Sequence, residues 1–159
     1  MSKMIFYKKI IIQPCTMSDY LSDDETEIKM HAFLGNNELI KFVVPRGVTK
    51  IGRCAFSGCV SLLVVVLPET LKEIDPYAFA SHAFSHCSSL CSVDIPPKVW
   101  KIGEAAFSCC FSLTSITIPE DISMIEGWAF QKCSSLVSIF IPSNVKVIGR
   151  YAFRDCTWL

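Results

Sequence analysis

The stretch CFSLTSITIPEDISMIEGWAFQKC, Cys110 to Cys133, is one period of an internal repeat. With Φ for an apolar residue it reads C-x2-L-x2-Φ-x-Φ-P-x2-Φ-x2-I-x3-A-F-x2-C. The next stretch, CSSLVSIFIPSNVKVIGRYAFRDC from Cys133 to Cys156, has the same form, and NNELIKFVVPRGVTKIGRCAFSGC from Asn36 to Cys59 opens the series. Ala-Phe occurs at 32–33, 55–56, 78–79, 83–84, 106–107, 129–130 and 152–153, in steps of 23 residues except for one step of five. Proline falls at 45, 68, 96, 119 and 142, with one step of 28 among steps of 23. Cysteine follows phenylalanine by three residues at 59, 87, 110, 133 and 156, and Asn36 holds that place in the first repeat. A dozen positions that agree over five periods decide the architecture before any local propensity does.

The one irregularity is YAFASHAFSHC, Tyr77 to Cys87. Tyr77-Ala78-Phe79 ends its period on schedule, and ASHAF, residues 80–84, is a five-residue insertion that repeats the last turn. Cysteine and proline then arrive five positions late and the 23-residue step resumes.

Length and composition agree with one packed domain. The 159 residues can bury a sizeable core, and 51% of them are apolar, which excludes a disordered chain. Fifteen basic and fifteen acidic residues cancel, so nucleic acid is not an expected partner. No apolar run approaches the roughly 20 residues that span a bilayer. Lys8-Lys9 divides the apolar residues at the start, so no signal-peptide core is legible and the chain reads as cytosolic. Nine cysteines would suit a disulfide scaffold, but the number is odd and the chain is long for one. The cysteines of the repeat are expected to be buried thiols, with Asn36 bonding turn backbone in their place.

Each period begins with L-x2-Φ-x-Φ-P, whose alternation is that of a strand, and proline stops that strand. The segment Φ-x2-I-x3-A-F, with apolar residues three to five apart, predicts a second short extended piece and then a turn of helix. Gly52, Gly103 and Gly149 follow its isoleucine and permit a tight corner. A single unit cannot bury its apolar residues, whereas stacked units share a core. Phe33, Phe56, Phe84, Phe107, Phe130 and Phe153 are expected to form one internal column, each contributing about 2–3 kcal/mol on burial.

This unit, with proline after the strand and Ala-Phe-x2-Cys at its end, resembles the BspA-type leucine-rich repeat over residues 28–159. The resemblance implies an α/β, β-rich repeat solenoid of about five and a half repeats. It would be a right-handed superhelix with parallel strands on the concave face and short helical turns or short strands on the convex face. It also implies a surface-antigen or adhesin-like binding role at the cell surface, without enzyme activity. Residues 1–27 fit no period: MIFYKKIII suits a capping strand and SDYLSDDETE an acidic, solvated loop. Leu159 opens a further period, and Phe153, Trp158 and Leu159 are expected at an exposed apolar end. The chain therefore reads as a fragment, a short gene copy, or a building block that self-associates end to end.

Chemistry is sparse. His82, His86, Cys87 and Cys91 have the spacing H-x3-H-C-x3-C, which suits a zinc site, but Cys87 belongs to the inward series and Cys91 begins a strand on another surface. No metal and no cofactor are expected. The three histidines fall on the side of the helical turns and Asp94 is the one carboxylate of the strand face, so acid–base catalysis lacks its second group. The residues one, two and four after each leading leucine should face outward from the strands. Two of those rows are apolar, with Ile40 and Val43 in one and Leu63, Val64 and Val66 in the next; Phe140 lies in the last. These six are the candidate contact residues for a protein partner, unless residues 1–27 cover them.

Overall fold

The computed structural model describes residues 19–79 and 87–159. Eleven short strands run through it: β1 Glu27–Ile28, β2 Lys41–Val43, β3 Lys50–Ile51, β4 Val64–Val66, β5 Glu73–Ile74, β6 Ser92–Val93, β7 Lys101–Ile102, β8 Ser115–Thr117, β9 Met124–Ile125, β10 Ser138–Phe140 and β11 Val147–Ile148. The even strands pair in the order β10-β8-β6-β4-β2 to form a five-stranded sheet. Among the odd strands, β1-β3-β5-β7 form one sheet and β11-β9 another. All of these pairs are parallel, as a chain coiling in one sense requires. Lys41 lies opposite Val64, 23 positions on, and Val64 lies opposite Ser92, 28 positions on, so the insertion is absorbed between strands without a slip of register. The architecture is a parallel β-solenoid of about five turns.

The repeated proline ends the even strand and starts the corner. The apolar residue three positions later donates its N–H back to the proline carbonyl: Val48 to Pro45, Leu71 to Pro68, Val99 to Pro96, Ile122 to Pro119 and Val145 to Pro142, all at 2.9–3.3 Å. That turn sets the P-x2-Φ spacing and leads into the two-residue odd strand, whose second residue is buried isoleucine at 28, 51, 74, 102 and 125.

The expected turn of helix is absent: among the described residues there is no α-helix. Two consecutive turns take its place. In the first, Ala55 N–H donates to the Gly52 carbonyl and Cys54 is left-handed with φ 55°; in the second, Cys59 N–H donates to Phe56 and Gly58 is left-handed with φ 74°. The residue before Ala-Phe is left-handed in all six described copies: His31, Cys54, Tyr77, Ala105, Trp128 and Tyr151. This alternation turns every second N–H toward the next coil, so that Cys54, Phe56, Tyr77, Phe79, Ala105 and Phe107 donate to Pro76, Ala78, Glu104, Ala106, Gly127 and Ala129. A helix would have spent those donors on itself. The third side of the coil is therefore a hydrogen-bonded ladder, and among the described residues the fold is a parallel β-solenoid in which the expected helical turns and α/β character are not found.

The phenylalanines form the column that binds the coils. Phe33, Phe56, Phe79, Phe107, Phe130 and Phe153 are stacked with centroids 5.1–5.7 Å apart and planes within 12° of parallel. The member between Phe56 and Phe107 is Phe79, not Phe84 as expected from the sequence; Phe84 lies outside the described residues. Phe79 wins because it is the residue that arrives on schedule. Offset-stacked aromatic pairs add about 0.5–1.5 kcal/mol each beyond their burial.

Among the described residues the column continues to Tyr20, whose ring stacks on Phe33 at 4.4 Å. Leu21 is buried and bridges Ile28 in antiparallel fashion, so the sequence expected to be a solvated loop anchors two residues in the core. Asp23, Asp24 and Glu25 at its tip are exposed. The suggested capping strand MIFYKKIII lies outside the described residues.

Glycine in the corner serves close approach between coils rather than a left-handed backbone. Gly52, Gly103 and Gly149 are not among the residues with positive φ. A Cβ on Gly103 would lie 2.5 Å from the Pro76 nitrogen, and one on Gly149 2.5 Å from the Gly127 nitrogen. Neighbouring coils approach too closely there for any side chain.

Candidate functional site

Alternation along the even strands places Phe42, Val65, Val93 and Ile116 in the core and their neighbours on the outer face of the five-stranded sheet. Leu63, Val64 and Val66 of the β4 row are 43%, 37% and 43% exposed, while Ile40 and Val43 of the β2 row are half-buried. The register sets Val43 beside Val66 and Lys41 beside Val64. Five of the six candidates are thus brought together. Phe140, although 68% exposed, lies on β10, beyond the polar rows of β6 and β8, and is not part of the cluster.

The apolar row continues into a groove of about 520 Å³ formed where the strands meet their prolines, with Val43, Val44, Val66, Leu67 and Pro68 as its apolar walls and Arg46 and Glu69 at its rim. A second depression of about 340 Å³ adjoins it across Val66, Leu67 and Glu69 and brings in Asp94 and Pro96. Sequence reasoning missed Leu67, Pro68 and Glu69. The proline that ends each strand was legible, but not that two successive corners would leave a trough between them.

The sheet β1-β3-β5-β7 is different in character. Its outward residues alternate in charge, Glu27, Lys50, Glu73 and Lys101, and they pair: Lys50 Nζ lies 3.3 Å from Glu27 and 3.0 Å from Asp75, and Lys101 Nζ lies 3.6 Å from Glu73 and 3.7 Å from Asp75. The hydrogen bond to Asp75 holds Lys50 above the usual lysine range. These charges already answer one another, whereas the apolar row on β4 has no such cover among the described residues.

The five cysteines of the repeat are structural. Cys59, Cys87, Cys110, Cys133 and Cys156 each donate a thiol hydrogen to the carbonyl of a phenylalanine in the preceding coil, at 3.0, 3.0, 3.7, 3.2 and 3.1 Å. Asn36, in the equivalent place, accepts from the N–H groups of Glu38 and Leu39. Cys87 is buried in this series and Cys91 is exposed on the strand face, so the two cysteines of the H-x3-H-C-x3-C spacing point to different surfaces; His82 and His86 lie outside the described residues. Among the described residues no group of three or more His, Cys, Asp or Glu is placed to hold a metal, and no helix is long and apolar enough to cross a membrane.

Stacked parallel coils, a shared aromatic column and an open strand face define a leucine-rich-repeat solenoid. Residues 79–159 match the family model of the BspA type leucine rich repeat region, in six copies, and the chain belongs to that family. Leucine-rich repeats of this kind are generally non-enzymatic binding scaffolds.

Among solved structures, the chain is similar to a leucine-rich repeat protein of T. pallidum, at 26% identity and a TM-score of 0.66, over 93% of this chain and 90% of that one. It is also similar to a leucine-rich repeat protein of Bacteroides ovatus, at 28% identity and 0.63, over 84% of this chain and 39% of that one. A leucine rich cell surface protein of Faecalibacterium prausnitzii matches at 31% identity and 0.59, over 84% and 44%. The chain thus spans nearly all of the first and less than half of the other two. No curated protein matches it.

Proposed function

We propose that this chain is a protein-interaction module that contacts its partner through the outer face of the five-stranded sheet, with Leu63, Val64 and Val66 at the centre and Ile40 and Val43 on the flank. The observation that carries the reading is the exposure of three apolar residues in one strand row, continuous with the apolar groove at Val66 and Pro68. Contiguous exposed apolar surface is a mark of contact sites in soluble proteins. Similarity to the cell surface protein of Faecalibacterium prausnitzii supports placement at a cell surface and an antigen- or adhesin-like role.

The test is capture of binding proteins by three forms of the chain: unaltered, Val64→Ser with Val66→Ser, and a control with the exposed Asn144→Ser and Lys146→Ser. The strand variant should lose its captured proteins while keeping the circular dichroism spectrum of the parent, and the control should retain them. Capture that persists in the strand variant rules out this face.

A further inference from the structure

Among the described residues the odd strands pair from coil to coil except at one junction: β5 pairs with β7 and β9 with β11, but β7 and β9 are not joined. Elsewhere a backbone bond flanks the odd strands on each side. On one side Lys72, Trp100 and Lys146 donate their N–H groups to Thr49, Lys72 and Ser123 of the preceding coil. On the other, Asp75, Gly103 and Gly149 donate to Ile51, Ile74 and Ile125, all at 2.7–3.0 Å. The corresponding bonds from Ser123 to Trp100 and from Glu126 to Ile102 are not made among the described residues. Two carbonyls and two N–H groups thus lack their usual partner in the neighbouring coil, and such groups bond strongly to whatever reaches them.

The same two coils stay closed on their other sides. Ser92 pairs with Ser115, Ala105, Phe107 and Cys109 donate to Gly127, Ala129 and Gln131 at 2.7–2.9 Å, and the Phe107 and Phe130 rings stack at 5.7 Å. The parting is therefore a wedge on one side, a depression of about 320 Å³ lined by Trp100, Lys101, Ile102, Ser123, Met124 and Glu126. That is the small end of the range for small-molecule sites, about 300–1,000 Å³. A peptide strand does not fit between the coils, since it would hold them roughly 9–10 Å apart.

The repeat does not call for these walls. Thr26, Thr49, Lys72, Ser123 and Lys146 hold the place of Trp100 in the other coils, and Met124 stands where Glu27, Lys50, Glu73 and Lys101 alternate in charge. Trp100 is 51% exposed and Met124 40%, so neither serves the core. Lys101 is held by Glu73 and Asp75, whereas Glu126 joins no ion pair among the described residues. A flat apolar wall thus stands beside backbone donors, backbone acceptors and a carboxylate.

We propose that the opening between β7 and β9 is a binding site for a neutral saccharide, with one pyranose ring lying on the Trp100 indole and its hydroxyls meeting the parted backbone groups and the Glu126 carboxylate. A pyranose presents C–H bonds on its face, which suit an aromatic wall, and hydroxyls around its edge that each donate and accept. It can therefore answer carbonyls and N–H groups together. An acidic or sulfated sugar fits worse, because Glu73, Asp75 and Glu126 outnumber Lys101. The site is on a different sheet from the apolar strand face, and neither depends on the other.

The test is titration of the full chain with the methyl glycosides of glucose, galactose, mannose and N-acetylglucosamine, followed by amide shifts. At least one of the four should shift Ser123 and Glu126 saturably. Sorbitol, which has the hydroxyls without the ring, should not saturate over the same range, and methyl glucuronide should bind no more tightly than methyl glucoside. Trp100→Thr, which installs the residue type of position 49 and should keep the parent's circular dichroism spectrum, should weaken binding at least about tenfold. Trp100→Phe, which keeps an aromatic wall, should lose less. If Trp100→Thr does not fold, Glu126→Gln in the unaltered background should weaken the same glycoside. Absence of saturation by all four glycosides, saturation by sorbitol, tighter binding of the glucuronide, or indifference to loss of the indole overturns the assignment.

Discussion

At Cys133 the thiol donates to the carbonyl of Phe107, one coil back, and burial pushes its ionisation upward. Burial does the same at Cys110 and Cys156, while at Cys59 the interaction with Cys87 leads and burial adds to it. A thiol whose folded pKa is raised stays protonated when the unfolded chain begins to ionise near the ordinary value of 9.0. Stability from these groups is therefore fully present below pH 9 and falls as pH rises above it, by up to about 1.4 kcal/mol per pH unit for each thiol. Urea midpoints measured under reductant from pH 8 to 10 should fall, and Cys133→Ser should fall less steeply than the parent. Parallel slopes would show that the thiol ionises as readily in the coil as in the open chain. The fixed distance from phenylalanine made these cysteines legible in the sequence as inward residues. Their acceptor was not legible, because it belongs to the coil before.

The elements were read unevenly, for a physical reason. The even strands announce themselves by period-two alternation ending on proline, and LLVVVL, residues 62–67, showed its outward apolar residues at once. The segment before Ala-Phe was read as a helical turn because its apolar spacing suits either structure. What decides against helix is the left-handed backbone at residues such as Trp128 and Tyr151, types that seldom mark such a conformation, sustained by the ladder to the next coil. Corner glycines were visible, but the close approach they serve depends on the neighbouring coil. Gly103→Ala should cost about 1–3 kcal/mol, since its Cβ would meet backbone of Asp75 and Pro76 that cannot move cheaply. Gly127→Ala, whose nearest neighbour is the Arg150 oxygen at 3.3 Å, should cost less than about 1 kcal/mol. Equal thermal shifts in the two variants would contradict the crowding argument.

At the scale of the whole molecule, the contact face is a consequence of stacking. Val43 and Val66 are neighbours because consecutive coils hold the same register, so the 23-residue step places a candidate site before any side chain is seen. The groove beside Pro68 was not legible, since it arises from what two coils leave between them. The central claim is that no coil shelters its own core. Phe107, with Phe79 at 5.2 Å on one side and Phe130 at 5.7 Å on the other, tests it most directly. Phe107→Ala should cost about 3–5 kcal/mol, and amide hydrogen exchange should show Phe42 on β2 and Ile139 on β10 losing protection together with the altered coil. If β2 keeps its protection while only the coil around residue 107 opens, the coils stand separately and the account of a shared core is wrong.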